Sequence, residues 1–399
     1  MDSLKWDTQE SPNIKIVVDV DTKSINTDDE EEKEDNTKAS ETLVKDLDAD
    51  GEEIKFSSFD LVDRLGKGNF GEVFKVVLHK EKHLTDPRTF ALKAMKKSQI
   101  VRNNQMKYVI SELNIMKQLH NPFIVSLNYA FQTPKYLYIA MEYWGGKDLA
   151  WHLDKNGHLS EQQAKLCTAE IILAIEYLHN LNIIYRDLKP SNVLVSNDGH
   201  VKLIDFGLAK EGVMGNDYAQ TFCGSPAYLA PELLKEKKFN KSSDIYQIGV
   251  LFFELLTGKP PFYKSTRESL FENIKHSYNL EVPSHVNPLS VDLLGRLLNK
   301  IPTKRLGVNN LNDLKSHKFF SDIDWELLEQ KKFVSEGIFT HAQLETPLSL
   351  HQDSMDLEEI EMCKLEHKVN FYDKDYLSEE DDEDDQFPEA SYDACKPPS

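Results

Sequence analysis

The run Tyr185-Arg186-Asp187-Leu188-Lys189-Pro190-Ser191-Asn192, followed by Asp205-Phe206-Gly207, gathers two carboxylates, a lysine and an amide into twenty-one residues. These types suit in-line phosphoryl transfer from a magnesium nucleotide, a reaction governed by positioning and charge neutralisation. Asp187 would accept or orient the proton of the attacking hydroxyl, and Lys189 would neutralise charge on the moving phosphoryl group. Asn192 and Asp205 would hold two Mg2+ ions bridging the phosphates. A triplet such as Asp205-Phe206-Gly207 arises easily by chance. Both motifs in this order are far more specific.

The elements that must position these groups are legible around them. Val193-Leu194-Val195 and Val201-Lys202-Leu203-Ile204, turned by Asn197-Asp198-Gly199, predict a hairpin that brings Asn192 and Asp205 to one end of a small sheet. Gly66-Lys67-Gly68-Asn69-Phe70-Gly71 lies between two predicted strands. The glycine spacing alone is shared with dinucleotide-binding folds, but those require a helix next, and here a strand follows. A hairpin laid over phosphates fits, because glycine lets the backbone approach the oxygens closely. Leu65 and Val73 beside this loop, and Ala91 two residues before Lys93, are further candidate nucleotide contacts. Lys93, twenty-two residues after Gly71, would reach the α- and β-phosphates, held by Glu112 on a predicted helix over 103–119. Ala230-Pro231-Glu232 closes the segment that starts at Asp205, and Arg305 is the expected ion-pair partner of Glu232.

Short β-branched and aromatic runs at Leu61-Val62, Val73–Leu78, Phe90–Lys93 and Leu137–Met141 read as strands. Beyond Gly145-Gly146 the periodicity turns helical, at Glu161–Leu178, Lys241–Leu256, Arg267–Lys275 and Val291–Leu298. A strand-rich small lobe thus precedes a helix-rich large one, an α+β arrangement.

Charge divides the 399 residues further. Residues 1–55 carry 7 basic and 18 acidic side chains and 321–399 carry 6 and 23, so 56–320 keep 34 and 26, a net of +8. The total of −20 therefore belongs to the ends, and the middle has the mildly basic balance of a domain that handles polyphosphate. Asp46-Leu47-Asp48-Ala49-Asp50-Gly51 imitates a calcium loop, but Ser57 stands where the bidentate glutamate belongs. Residues 1–58 read as an acidic disordered tail. Cys167, Cys223, Cys363 and Cys395 show no paired spacing, which fits a reducing compartment. No apolar run approaches the roughly 20 residues needed to span a bilayer, and no signal-peptide core follows Met1. Cytoplasmic residence is expected, with the nucleus also open.

These motifs resemble the signature set of protein kinases, and more narrowly the AGC group of serine/threonine kinases, near protein kinase B and the serum- and glucocorticoid-regulated kinases. Tyr185 stands in place of the usual catalytic-loop histidine, as in that group. Thr221-Phe222-Cys223-Gly224-Ser225-Pro226 resembles its activation loop, and Lys96–Val101 and Asp324–Lys332 resemble two of its flanking segments. The resemblance implies a bilobal kinase fold with an antiparallel β-sheet N-lobe (59–143) carrying a regulatory helix, a mainly helical C-lobe (148–320) and a degenerate acidic C-terminal tail (321–399). It implies ATP and Mg2+ as cofactors, with phosphorylation of Thr221 pairing that residue with Arg186 and Lys210. Met141 falls at the gatekeeper position, adenine would meet the backbone beside Glu142 and Tyr143, and Asp148 would sit near the ribose.

Departures from the group are equally specific. Ser191 and Ala227 replace acids that help bind a substrate arginine, while Asp148 and Glu254 remain. Tyr108 replaces a histidine that contacts the activation-loop phosphate. Asn370–Tyr376 resembles the tail's nucleotide tether, and Phe387–Tyr392 its hydrophobic motif, with Ala390 in place of the second aromatic and Ser391 as a candidate second phosphosite. The expected activity is transfer of the γ-phosphoryl group to protein serine or threonine, by a monomer that an upstream kinase activates and that has no nucleic-acid partner. A pseudokinase scaffold is the alternative. It is disfavoured because Lys93, Glu112, Asp187, Asn192 and Asp205 are all present.

Overall fold

The computed structural model describes residues 54–332, apart from 69–70, 82, 86, 104, 197–198, 213–223 and 237. Thr221 and Ser391, the calcium-loop mimic at Asp46 and the tail motifs at Asn370 and Phe387 lie outside the described residues.

Five antiparallel strands build the N-lobe: β1 (Phe59–Gly68), β2 (Gly71–Leu78), β3 (Thr89–Lys96), β4 (Leu127–Gln132) and β5 (Tyr136–Glu142), in the order β1-β2-β3-β5-β4. Side chains alternate across a strand, and β3 shows the consequence. Phe90, Leu92 and Ala94 are buried on one face, while Ala91 and Lys93 share the other. The first face packs with Phe59, Phe74, Phe131 and Tyr138, and its lid comes from residues ahead of β1. Ile54 and Phe56 are 4% and 7% exposed, and Phe56 lies 5.2 Å from the Tyr138 ring. Ile54 and Phe56, in the stretch read as the end of the acidic tail, therefore pack as part of the cover of the N-lobe sheet. Two apolar residues in an acidic stretch give no periodicity, yet the sheet needs their cover.

The opposite face packs on two helices, α1 (Lys97–Arg102) and α2 (Met106–Met116), through Ile100, Val109 and Leu113. The single helix expected over 103–119 is thus shorter, and a separate turn precedes it. Asn103 caps α1 on its C-terminal side, its amide donating to Gln99 and Val101 carbonyls. Asparagine tolerates such chain reversals.

The C-lobe is built on α4 (Glu161–Asn180) and α6 (Lys241–Thr257), both buried along nearly their whole length. Ser160 and Gln163 start α4 as a reciprocal capping box, at 3.3 and 3.0 Å. Asn240 caps α6, and Gly258 ends it with a left-handed φ of 78°. Around them lie α3 (Leu149–Asn156), α5 (Pro231–Glu236), α7 (Arg267–His276), α8 (Pro288–Leu297), α9 (Leu311–Lys315) and α10 (Trp325–Glu329). Helix α8 starts three residues earlier than its apolar pattern indicates, because Asn287 caps it and proline is favoured at the first helical position. The predicted hairpin forms from β6 (Val193–Val195) and β7 (Val201–Leu203), paired Val193 to Leu203 and Val195 to Val201. Strand β4 and the short helices α3, α5, α9 and α10 are elements the apolar periodicity left unread. The architecture is the bilobal α+β fold expected, a strand-rich N-lobe on a helical C-lobe.

Candidate nucleotide and phosphoryl-transfer site

The cleft between the lobes collects the predicted groups. On the N-lobe side, the β1–β2 register pairs Gly66 with Val73, Lys67 with Glu72 and Gly68 with Gly71. Asn69 and Phe70, at the tip, lie outside the described residues. Gly71 has no room for a side chain, since a Cβ would collide with the Ala94 carbonyl. Val73 pairs with Lys93 and Ala91 with Met141, so these four side chains line one patch of sheet above the cleft. Leu65 is largely exposed at its edge.

Lys93 Nζ donates to Glu112 Oε1 at 2.8 Å, linking β3 to α2. Burial pulls the Lys93 amine down, but the charges of Glu112 and Asp205 outweigh it and hold the ammonium above its ordinary range. A cation kept charged in a site shielded from water is what a polyphosphate requires. Glu112 also approaches the far side of the metal-binding segment, because a Cβ on Gly207 would lie 3.2 Å from Asp205 Oδ1 and 3.8 Å from Glu112 Oε2.

Below the cleft, Asp187 Oδ2 accepts from Lys189 Nζ at 2.8 Å and from Asn192 Nδ2 at 3.0 Å. Its Oδ1 accepts from the amide and hydroxyl of Ser225 at 3.2 and 3.3 Å. Asn192 Nδ2 also donates to the Asp187 carbonyl, at 2.8 Å, which commits its amide nitrogen and leaves its carbonyl oxygen for a cation. Asp205 is exposed, with one oxygen accepting from the Gly207 amide at 3.0 Å. One carboxylate and one amide oxygen, with phosphate and water completing the shell, is a donor set that fits Mg2+. Among the described residues no group of three or more His, Cys, Asp or Glu side chains could hold a metal by itself.

The catalytic loop is braced by residues that motif reading missed. Asp244 in α6, fully buried, accepts from the Tyr185 and Arg186 amides at 3.0 and 2.9 Å and from His179 Nε2 at 2.8 Å. One turn on, Gln247 accepts from the Leu188 amide at 3.2 Å and donates to the Arg186 carbonyl at 2.9 Å. Between them they hold Arg186 at φ 72°, a strained left-handed conformation. Their sequence signal is two polar side chains, three apart, at the head of the long apolar run that continues to Phe253, where each must find a partner.

Arg186 Nε donates to the Leu208 carbonyl, while its buried Nη1 has no partner among the described residues. Lys210 joins Ile184 through paired backbone bonds of 2.9 and 3.0 Å, which places it beside Arg186. Glu232 and Arg305 meet in a bidentate, buried pair at 2.7 and 2.6 Å.

The linker departs in part from expectation. The Glu142 and Tyr143 amides already donate to the Ser126 and Thr89 carbonyls, at 3.0 and 3.4 Å. The next amide, that of Trp144, has no acceptor among the described residues, which leaves an open linker donor beside Tyr143. The Glu142 side chain turns to Lys202, at 2.6 and 2.9 Å. Asp148 caps α3, accepting from the Trp151 amide at 2.8 Å, and bridges to Leu194 of β6.

A two-lobed fold with an ammonium–carboxylate pair above the cleft, and a carboxylate–lysine–amide cluster below it, defines a nucleotide-dependent phosphotransferase architecture. Residues 59–320 match the protein kinase domain model, and the chain belongs to that family. It is 41% identical over 278 residues to serine/threonine-protein kinase Sgk2 of Rattus norvegicus, covering 69% of this chain and 74% of the relative. It is likewise 41% identical over 281 residues to a RAC family serine/threonine-protein kinase homolog of Dictyostelium discoideum, covering 70% and 62%. Against serine/threonine protein kinase ypkA of Aspergillus fumigatus it is 41% identical over 282 residues, 70% of this chain but only 43% of the relative. The matches thus span from under half to three quarters of these relatives' own lengths. They agree with an AGC-type serine/threonine kinase.

Proposed function

We propose that this chain is a serine/threonine protein kinase that transfers the γ-phosphoryl group of Mg-ATP to protein hydroxyls. The observation that carries the reading is the joint assembly of Lys93–Glu112 at 2.8 Å above the cleft and Asp187–Lys189–Asn192 within 3.0 Å below it. Lys93 holds the α- and β-phosphates. Asp187 orients the incoming hydroxyl and takes its proton, and Lys189 stands where charge accumulates on the transferred group. Asn192 and Asp205 would hold magnesium, which would supply neutralisation of the phosphate oxygens.

The protein substrate lies along a groove of about 720 Å³ that runs from Lys189, Ser191 and Ser225 to Tyr228 and Glu254. Lys189-Pro190 after Asp187 supports serine or threonine over tyrosine as acceptor. The unpartnered Arg186 Nη1 beside Lys210 supports activation by an upstream kinase at Thr221. The scattered cysteines support work in a reducing compartment such as the cytoplasm.

The test is transfer from Mg-ATP to an arrayed serine/threonine peptide library, with Asp187→Ala as the blank. Transfer that vanishes in the variant establishes the enzyme. Nucleotide binding without transfer, even after phosphorylation at Thr221, would mark a scaffold instead. Thr221→Ala is expected to lower turnover while nucleotide binding survives, and unchanged activity in that variant would remove Thr221 as the switch.

A further inference from the structure

The linker between the lobes carries an indole on which two ammonium groups converge. Trp144 stands two residues beyond Glu142, the last residue of β5. Lys202 of β7 has its Nζ 3.9 Å from the centre of the Trp144 ring, and Lys331 has its Nζ 4.4 Å from the same centre. The three side chains come from separate stretches: the linker, the hairpin that carries Asn192 and Asp205, and the turn that ends α10. Lys331 has a left-handed φ of 55°, and it and Lys332 donate their amides back to the Leu328 and Leu327 carbonyls at 2.9 and 2.8 Å. The end of the C-lobe is thereby fixed against the linker.

Long lysine side chains often lie along apolar surface without consequence. Here two cations share one ring although they repel each other, which requires both compensating acid and a ring face in place. Glu142 supplies the acid for Lys202, at 2.6 and 2.9 Å, and the Lys331 charge acts on buried Glu170. An ammonium over the face of an indole is attracted by the ring's charge distribution, most strongly where water is excluded. The Trp144 amide is also the open backbone donor of the linker, so whatever orients this side chain orients the group that faces a purine.

We infer that Trp144, gripped by Lys202 and Lys331, is a positioning residue of the nucleotide site, through which the end of the C-lobe sets the affinity for nucleotide. The inference rests on the nucleotide-binding reading above and adds a named control to it.

The experiment measures, in the full chain, the dissociation constant of a fluorescent ADP analogue with Mg2+, together with kcat and KM for ATP and the melting temperature. Lys331→Ala is expected to weaken the analogue and raise KM about three- to thirtyfold, the range of a cation–π contact from partly exposed to desolvated, with kcat and the melting temperature unchanged. Lys331→Arg restores affinity, because a guanidinium over the ring serves equally. Trp144→Leu weakens binding as Lys331→Ala does, and combining the two adds nothing further, as for groups acting through one contact. Unchanged affinity in Lys331→Ala would overturn the inference. So would a fall in melting temperature without loss of affinity, an arginine as weak as alanine, or additive effects in the double variant. Wild-type protein that binds no nucleotide would overturn the site assignment itself, and this inference with it.

Discussion

Charge on single residues decides the chemistry. Lys93 is kept ammonium by Glu112 and Asp205 despite its burial, so it can serve phosphate without losing its proton. Lys93→Met removes that charge and leaves Glu112, 4% exposed, without its partner. Turnover is expected to fall roughly 10²–10³-fold, the range for deleting one preorganised electrostatic contact, read by steady-state kinetics at saturating peptide. Glu112→Gln should lose less, because an amide oxygen still accepts from the ammonium. Tyr185 shows how context alters a side chain. Burial, then the Asp205 and Asp187 charges, push its phenol far above the usual range, so it acts as a neutral packing group against Phe206, 5.3 Å away.

At the scale of elements, α6 does two jobs. Its Asp244 and Gln247 hold the catalytic loop, and its Glu254 lines the substrate groove, where it accepts a hydrogen bond from the Tyr228 hydroxyl. Burial raises the Glu254 carboxyl from 4.5 to about 7. Between those two values the folded state binds more proton than the unfolded chain. The stability this provides is therefore complete below 4.5 and is lost as pH rises through about 7. Glu254→Gln has no proton to lose. Its melting temperature should gain on wild type as pH rises from about 5 to about 8. Over the same range the wild-type KM for a peptide with a basic residue in the groove should fall, since the carboxylate then carries its charge, and the glutamine variant should show no such trend. A parallel trend in both proteins would place the titrating group elsewhere.

Across the whole molecule, one buried ion pair ties the segment from Asp205 to Glu232 to the far end of the C-lobe. Arg305 meets Glu232 through both carboxylate oxygens and also donates to the Ser242 carbonyl at 2.8 Å, while Ser243 donates to Glu232 at 2.8 Å. Removing one partner of such a pair leaves an uncompensated buried charge, whose penalty is about 3–5 kcal/mol. Arg305→Ala should lower the urea midpoint accordingly. It should also reduce turnover, because the segment bearing Ser225, which bonds Asp187, loses its C-terminal anchor. Retention of wild-type stability would show that water or rearrangement solvates the Glu232 carboxylate instead.

Local patterns were enough to read much of this protein. The glycine loop, the β6–β7 hairpin and the two-lobe division follow from propensity, turn chemistry and alternation, all of which act within a few residues, and the order Lys93, Glu112, Asp187, Asn192, Asp205 was legible from motif spacing. The Glu232–Arg305 pair was legible because Ala230-Pro231-Glu232 calls for an arginine in the large lobe and Arg305 stands in the run Pro302-Thr303-Lys304-Arg305-Leu306-Gly307. Packing decided the rest. Ile54 and Phe56 belong to the N-lobe because the outer sheet face needs cover, and Asp244 and Gln247 reach a loop nearly sixty residues earlier because α6 lies beneath it. Trp144 is gripped from two distant stretches, β7 and the turn after α10, that only the folding of the C-lobe brings beside it. Hydrophobic burial and pairing of buried polar groups are satisfied by whichever neighbours the folded chain supplies, and no spacing along the sequence states which those are.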